Sequence, residues 1–256
     1  MRALQALYKL ARVLGWVVYG YWRVRTVFPK LSDTQQARAV EVWARGMLAI
    51  MGIEVRVKGH PSPGPVLMAA NHISWLDILV MHAASHCRFV AKSEIRSWPL
   101  LGVLTTGGGS LFIERASSRD AMRLVHHMAD ALRRGDVLAV FPEGGTGDGV
   151  NLLPFHANLL QAAISSGAPA QPVALQFIEA ATCERSLAPC YHAQDTLFGS
   201  LWRTLCAPPL LAVVRYGQPQ STLGLHRREC AQRVQQAIAE SLARAHPTPA
   251  SGSSGP

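Results

Sequence analysis

Apolar and polar positions change period along this chain, and each change of period marks an element. From Leu4 to Phe28 the apolar and aromatic run Val13 to Trp22 lies between Lys9, Arg12 and Arg23, Arg25. Ten such residues are too few to span a bilayer, which takes about 20. The segment reads as an interfacial helix, with Trp16, Tyr19, Tyr21 and Trp22 at headgroup level and cations at both ends. A cleaved signal peptide and a plain buried helix are the competing readings, the first lacking a small-residue cleavage site. Ser32-Asp-Thr-Gln opens a second helix, whose apolar positions Val40, Trp43, Met47, Leu48 and Met51 fall at three-and-four spacing. Phe28-Pro29-Lys30 would turn between the two. Ile53, Val55 and Val57 then alternate with charged residues as a first strand, closed by Pro61 to Pro65.

Beyond this point short apolar runs alternate with helical periods. Strands are predicted over 65–70, 88–91, 111–113, 137–141, 172–177 and 211–216. Helices are predicted from Ser74 through His82 and over 98–104, 120–134, 156–165 and 225–245. Such alternation implies an α/β sheet covered on both faces, and a run such as Val137-Leu-Ala-Val-Phe141 suits its buried centre. No fixed-period repeat is present. Residues 246–256 hold nothing to bury and read as disordered. The chain thus divides into N-terminal membrane-associated helices over 1–51, a catalytic domain over 52–245 and a tail.

Candidate chemistry concentrates in Ala70-Asn71-His72-Ile73-Ser74-Trp75-Leu76-Asp77. Its histidine sits where a strand gives way to a helix. A carboxylate five residues on can fix the imidazole tautomer and steady its charge. Ser74 and Asp77 also form an S-x-x-D helix-start pattern, so Asp77 has a second reading as a cap alone. Downstream follow Phe89-Val-Ala-Lys92, Gly109-Ser-Leu-Phe112-Ile-Glu-Arg115, Phe141-Pro-Glu143-Gly144 and Gln171-Pro172-Val-Ala174.

In order and approximate spacing these resemble the motifs of the lysophospholipid acyltransferases, the family of 1-acylglycerol-3-phosphate O-acyltransferase, over about residues 50 to 180. The resemblance implies a mixed, largely parallel sheet flanked by helices. It implies transfer of an acyl group from acyl-CoA or acyl carrier protein to a lysolipid hydroxyl, with His72 as general base and Asp77 as its orienting partner. Substrate contacts are implied at Asn71, Lys92, Gly109, Phe112, Arg115, Glu143, Gly144 and Pro172, with Lys92 and Arg115 on the acceptor headgroup. No cofactor or metal enters that chemistry. Ser110, after Gly107-Gly-Gly109, invites a covalent alternative, but no G-x-S-x-G elbow surrounds it. The glycine-rich bend from Gly144 to Gly149 reads as a place where backbone amides approach an anion.

One departure is plain. Many members carry arginine two residues after the motif glycine, where this chain has Thr146. The acceptor is then lysophosphatidate held by Lys92 and Arg115, or another lysolipid such as lyso-ornithine lipid. His82 and His86 are spaced as metal ligands, with Cys87 adjacent, but no third ligand at motif spacing joins them. His156 follows Pro154-Phe155 near Glu143-Gly144 and is placed to line a pocket there, with no catalytic role assigned to it.

Composition fits this picture. Hydrophobic residues make up 49% and charged residues 16%, with a net charge of +9, which favours anionic lipid, nucleic acid or an acidic cofactor. The arginines are scattered, with no base-stacking stripe and no zinc-finger or helix-turn-helix spacing, so nucleic acid is not an expected partner. Five cysteines without a C-x-x-C pair suit a reducing cytoplasm. The expected location is the cytoplasmic face of the inner membrane.

Overall fold

The computed structural model describes residues 2–113, 118–192 and 194–244. The expected disordered tail lies outside the described residues. Helix α1 (Arg2–Thr26) leads through a 3-10 turn at Phe28–Lys30 into α2 (Asp33–Met51). The start of α2 is a full capping box: the Ser32 hydroxyl accepts from the Gln35 amide, and the Gln35 side chain accepts from the Ser32 amide. The helix ends on Gly52, whose φ of 86° is the left-handed conformation that glycine adopts without strain.

The strands are β1 (Ile53–Lys58), β2 (Val66–Ala70), β3 (Arg88–Lys92), β4 (Leu111–Ile113), β5 (Val137–Val140), β6 (Ala170–Glu179) and β7 (Leu210–Tyr216). Between and after them run α3 (Leu76–Ala84), α4 (Leu101–Gly107), α5 (Ser118–Arg133), α6 (Gln161–Ser166), α7 (Leu197–Cys206) and α8 (Arg227–Ala243). The sheet order is β1-β7-β6-β2-β5-β3-β4, parallel throughout except for the antiparallel β6–β7 pair. This is the mixed, largely parallel sheet expected.

Strand β2 shows why its sequence has no polar position. Val66, Met68 and Ala70 face one core with α1, α2 and α3, while Leu67 and Ala69 face the other with α5, α6 and α8. Both faces of a central strand are dry, so period-two alternation gives way to a continuous apolar run. The parallel run of β2, β5, β3 and β4 brings their carboxyl ends to one edge, where open α/β sheets bind ligands. Four of the five motif stretches begin or end there.

The N-terminal pair is bound into the molecule. Ala6, Val13 and Gly20 of α1 face inward; Ala6 and Val13 belong to the core that contains β2. Trp16 Nε1 donates to the Trp43 carbonyl at 3.0 Å and Trp43 Nε1 to the Trp16 carbonyl at 3.1 Å, a reciprocal tie between α1 and α2. Trp16 is therefore turned inward, against the expectation that all four aromatics lie at headgroup level; Tyr19 and Trp22 remain exposed. No described helix is long and apolar enough to cross a membrane.

Candidate active site

His72 occupies the corner between β2 and α3, and the local sequence builds its setting. Asp77, fully buried in the first turn of α3, presents one oxygen, Oδ2, to three donors: His72 Nδ1 at 2.9 Å, the Ile73 amide at 2.6 Å and the Ser74 amide at 2.9 Å. Two backbone donors fix the carboxylate, and the carboxylate fixes the ring. With Nδ1–H committed to Asp77, Nε2 is left as the proton acceptor. The helix begins at Leu76, later than Ser74, and the Ser74 hydroxyl accepts from the Leu76 amide at 3.3 Å. One carboxylate oxygen thus ties together the imidazole and the backbone that leads into α3, so Asp77 is more than a cap.

The Phe141–Gly144 stretch holds the histidine's backbone. Glu143 Oε1 accepts the His72 amide at 2.7 Å and Oε2 accepts the Leu153 amide at 2.7 Å, while the Gly147 amide donates to the His72 carbonyl at 2.7 Å. Burial raises the Glu143 pKa above the usual carboxylate range, and the two amide bonds oppose that rise. Phe141 stacks on the imidazole with centroids 4.0 Å apart and planes 10° from parallel. Gly144 has φ 73°, and a Cβ there would come within 2.7 Å of the His156 ring, so glycine is required twice over. Glu143→Gln keeps one acceptor but turns an amide N–H₂ toward a backbone N–H. A roughly tenfold loss of turnover is expected, with the folded state retained, as steady-state kinetics and circular dichroism would register.

Several other residues implied by the resemblance have structural roles in view. Asn71, 1% exposed, pairs its side-chain amide with both backbone groups of Leu175, accepting at 2.7 Å and donating at 3.0 Å, and so extends β2 onto β6. Gly109, at φ 75°, turns the chain into β4, and its carbonyl accepts from Arg88 Nε at 2.7 Å. Phe112 lies under the Arg96 guanidinium at 5.8 Å. Pro172 is buried in β6, where its carbonyl accepts the Gly217 amide at 2.8 Å, and it does not line the cavity at His72. Lys92 ends β3 in register with Ile113 of β4, which places the motif residues of both strands at the His72 edge. The Lys92 side chain and the whole of Arg115 lie outside the described residues. In the glycine-rich bend the amides of Gly144 and Gly147 are already bonded within the protein, which reduces its capacity to cradle an anion. The Thr146 hydroxyl, where other members carry arginine, donates to the Tyr191 carbonyl.

Beside His72 opens a cavity of about 950 Å³, at the upper end of the range for ligand pockets. Its walls are Trp75, Ile78 and Leu79 of α3, the inner faces of α1 and α2, and Leu104 of α4, with Phe141 and His156 near the base. Leu14, Ile78, Trp98, Leu101 and Leu197 both line it and are exposed, so its mouth is apolar too. No described serine, threonine or cysteine side chain hydrogen-bonds His72. The arrangement is a carboxylate-bonded imidazole, with no nucleophilic side chain among the described residues bonded to it, in the wall of a largely apolar cavity. Sequence reasoning missed Phe141, Trp75 and the entire cavity.

Residues 53–176 match the acyltransferase family model. The chain is 34% identical over 244 residues to a lyso-ornithine lipid O-acyltransferase of Pseudomonas aeruginosa, covering 93% of each chain. It is 38% identical over 200 residues to a 1-acyl-sn-glycerol-3-phosphate acyltransferase of Neisseria meningitidis, covering 77% of each. The crystal structure of the 1-acyl-sn-glycerophosphate acyltransferase of Thermotoga maritima shares the fold, with a TM-score of 0.69 at 19% identity over 95% of this chain and 97% of that one. With its motifs gathered around His72 and relatives of this kind along most of its length, the chain belongs to the lysophospholipid acyltransferase family.

Proposed function

We propose that the protein transfers a fatty acyl group from acyl-CoA or acyl carrier protein directly to the hydroxyl of 1-acylglycerol-3-phosphate, giving phosphatidate at a membrane surface. The observation that carries this reading is the His72–Asp77 pair, with Nε2 free, in the wall of the apolar cavity. The acceptor hydroxyl gives its proton to Nε2 as its oxygen bonds to the thioester carbonyl carbon. Asp77 steadies the imidazolium, the carbon–sulfur bond then breaks, and the proton leaves with the thiol. Lys92 and Arg115, from strands ending at this edge, take the acceptor phosphate.

A second acceptor is favoured by one feature, the inward-turned Thr146 in place of an arginine. Lyso-ornithine lipid, the substrate named for the Pseudomonas relative, needs no phosphate contact there. Equimolar competition of the two lysolipids for one acyl-CoA, read by mass spectrometry, decides between them. Phosphatidate as the main product supports the first reading, acylated ornithine lipid the second, and neither product would refute both.

The membrane face in this reading is the outer stripe of α1. Leu4, Tyr8, Val18 and Trp22 are exposed along one side, and Arg12, Arg23 and Arg25 lie against the rings of Tyr8, Tyr19 and Tyr21. The apolar mouth residues Trp98 and Leu101 and the exposed Phe198 extend the apolar surface. The net charge of +9 suits the anionic cytoplasmic leaflet, and free cysteines suit that compartment. Deleting residues up to Phe28 would open the core and the cavity together, so point changes are the cleaner test. Leu4→Glu, Val18→Glu and Trp22→Glu combined should shift the protein out of floating liposomes while its thermal unfolding stays within a few degrees. Unchanged flotation would place the anchoring surface elsewhere.

A further inference from the structure

Among the polar groups in the cavity wall that the transfer mechanism does not use, His82 is set apart by its burial and its unpartnered ring nitrogen. Trp75, Ile78, Leu79 and His82 form the cavity-lining face of α3, at the spacing of one helical stripe. Three are apolar or largely so, and the fourth is a histidine some 10 Å along the helix from Trp75. His82 is 6% exposed, and no described residue partners its buried Nδ1. Burial, with a smaller contribution from neighbouring His86, pushes its pKa down to about 3, so the ring is neutral. His86, one turn on, differs: its Nε2 meets the Gly108 carbonyl at 3.3 Å and its amide donates to Glu41.

The space beside His82 is held open. Gly108 has φ −72°, a conformation open to any L-residue, so the backbone does not demand glycine. A Cβ at that position would lie 3.4 Å from His82 Nε2, and anything longer would fill the cavity next to the ring. Ser110 lines the same end. His82 connects back to the base through aromatic contacts: Phe89 meets His82 edge-on at 5.2 Å and Phe141 at 5.6 Å, and Phe141 stacks on His72. The ring is neither a metal ligand, since no group of three metal-binding side chains exists among the described residues, nor a structural hydrogen-bonding group.

We infer that His82 is a specificity-determining residue that hydrogen-bonds a hydroxyl carried on the fatty chain buried in the cavity, so that the enzyme selects hydroxylated chains. A hydroxyl suits this ring better than a carbonyl does, because it can donate to a bare ring nitrogen or accept from a protonated one and so pairs with either neutral tautomer. An unsubstituted chain leaves the buried imidazole unpaired, and that is the source of the discrimination. The inference rests on the proposed function for the identity of the cavity's occupant. The hydroxyl could belong to the donor's chain or to the acceptor's.

The test uses the full chain purified in detergent. Saturated fatty acids of one length, unsubstituted or with a single hydroxyl at successive carbons, compete with a fluorescent fatty acid for the protein. One positional isomer is expected to displace it about five- to tenfold more tightly than the unsubstituted acid, the size of one net hydrogen bond. His82→Leu should abolish that preference and His82→Gln should keep part of it, since an amide can donate and accept in the same place. Equal competition by all isomers, no displacement by any, or a preference that survives His82→Leu would overturn the inference. Acyl-transfer assays with the hydroxyl on the donor chain or on the acceptor chain identify the source. Absence of transfer from any thioester to any lysolipid would defeat the proposed function, while the displacement result would still report on His82.

Discussion

His72→Ala is expected to lower turnover by at least about 10²-fold while leaving a folded protein that still binds lysolipid. The imidazole is 19% exposed and its removal uncovers one face of Phe141, but the backbone around it is held independently. Glu143 and Gly147 bond the His72 amide and carbonyl, and neither bond depends on the side chain. Asp77 retains the Ile73 and Ser74 amides. The loss should therefore fall on kcat, with KM for the lysolipid changed much less, because the base acts on the transferring proton and not on the bound chain. Steady-state kinetics with circular dichroism as the folding control checks this. Near-normal turnover in a folded variant would make the corner histidine structural.

Asp77 separates catalysis from stability. Asp77→Asn can place its carbonyl oxygen where Oδ2 stands, accepting from the two amides and from Nδ1, with its N–H₂ in the position of Oδ1, which has no partner. The corner should fold, but the charge that steadies the imidazolium is gone, and turnover should fall by about 10²-fold or more. Asp77→Ala should lose as much activity and also leave two buried amides without acceptors, at about 1–3 kcal/mol each. A clear drop in Tm for the alanine variant, with a small one for asparagine, is the expected pattern. Equal Tm values for the two would mean that the amide bonds contribute little to the corner.

The dyad was legible in the sequence because everything that makes it is local. A strand-length apolar run, a histidine, and an acid in the first helical turn specify the corner within residues 65–77. Helix α2 was legible for the same reason, through its capping box. The bond of Glu143 to the His72 amide was not legible, because the two lie 71 positions apart and no periodicity reports such a bond. The structural bonds of Asn71 were out of reach in the same way, since both go to Leu175, 104 positions on. Helix α7 was missed because Gly199 and Ser200 interrupt its apolar pattern, although Thr196 caps it by accepting the Gly199 amide at 3.1 Å. The predicted helix over 156–165 is a 3-10 turn followed by the short α6. The cavity was beyond reach altogether, since its walls come from helices scattered between residues 13 and 201 and only the sheet brings them together.

The most direct measurement is a two-stage experiment on the wild-type chain with a labelled acyl thioester. In the first stage no acceptor is present. Intact-protein mass spectrometry should show no acyl adduct, and any thiol released should be matched by free fatty acid, because water is then the sole hydroxyl the base can activate. In the second stage lysolipid is added, and thiol and doubly acylated lipid should appear together in equal amounts. Acylated protein, or thiol released in excess of free fatty acid before the acceptor arrives, would contradict direct transfer by the His72–Asp77 pair.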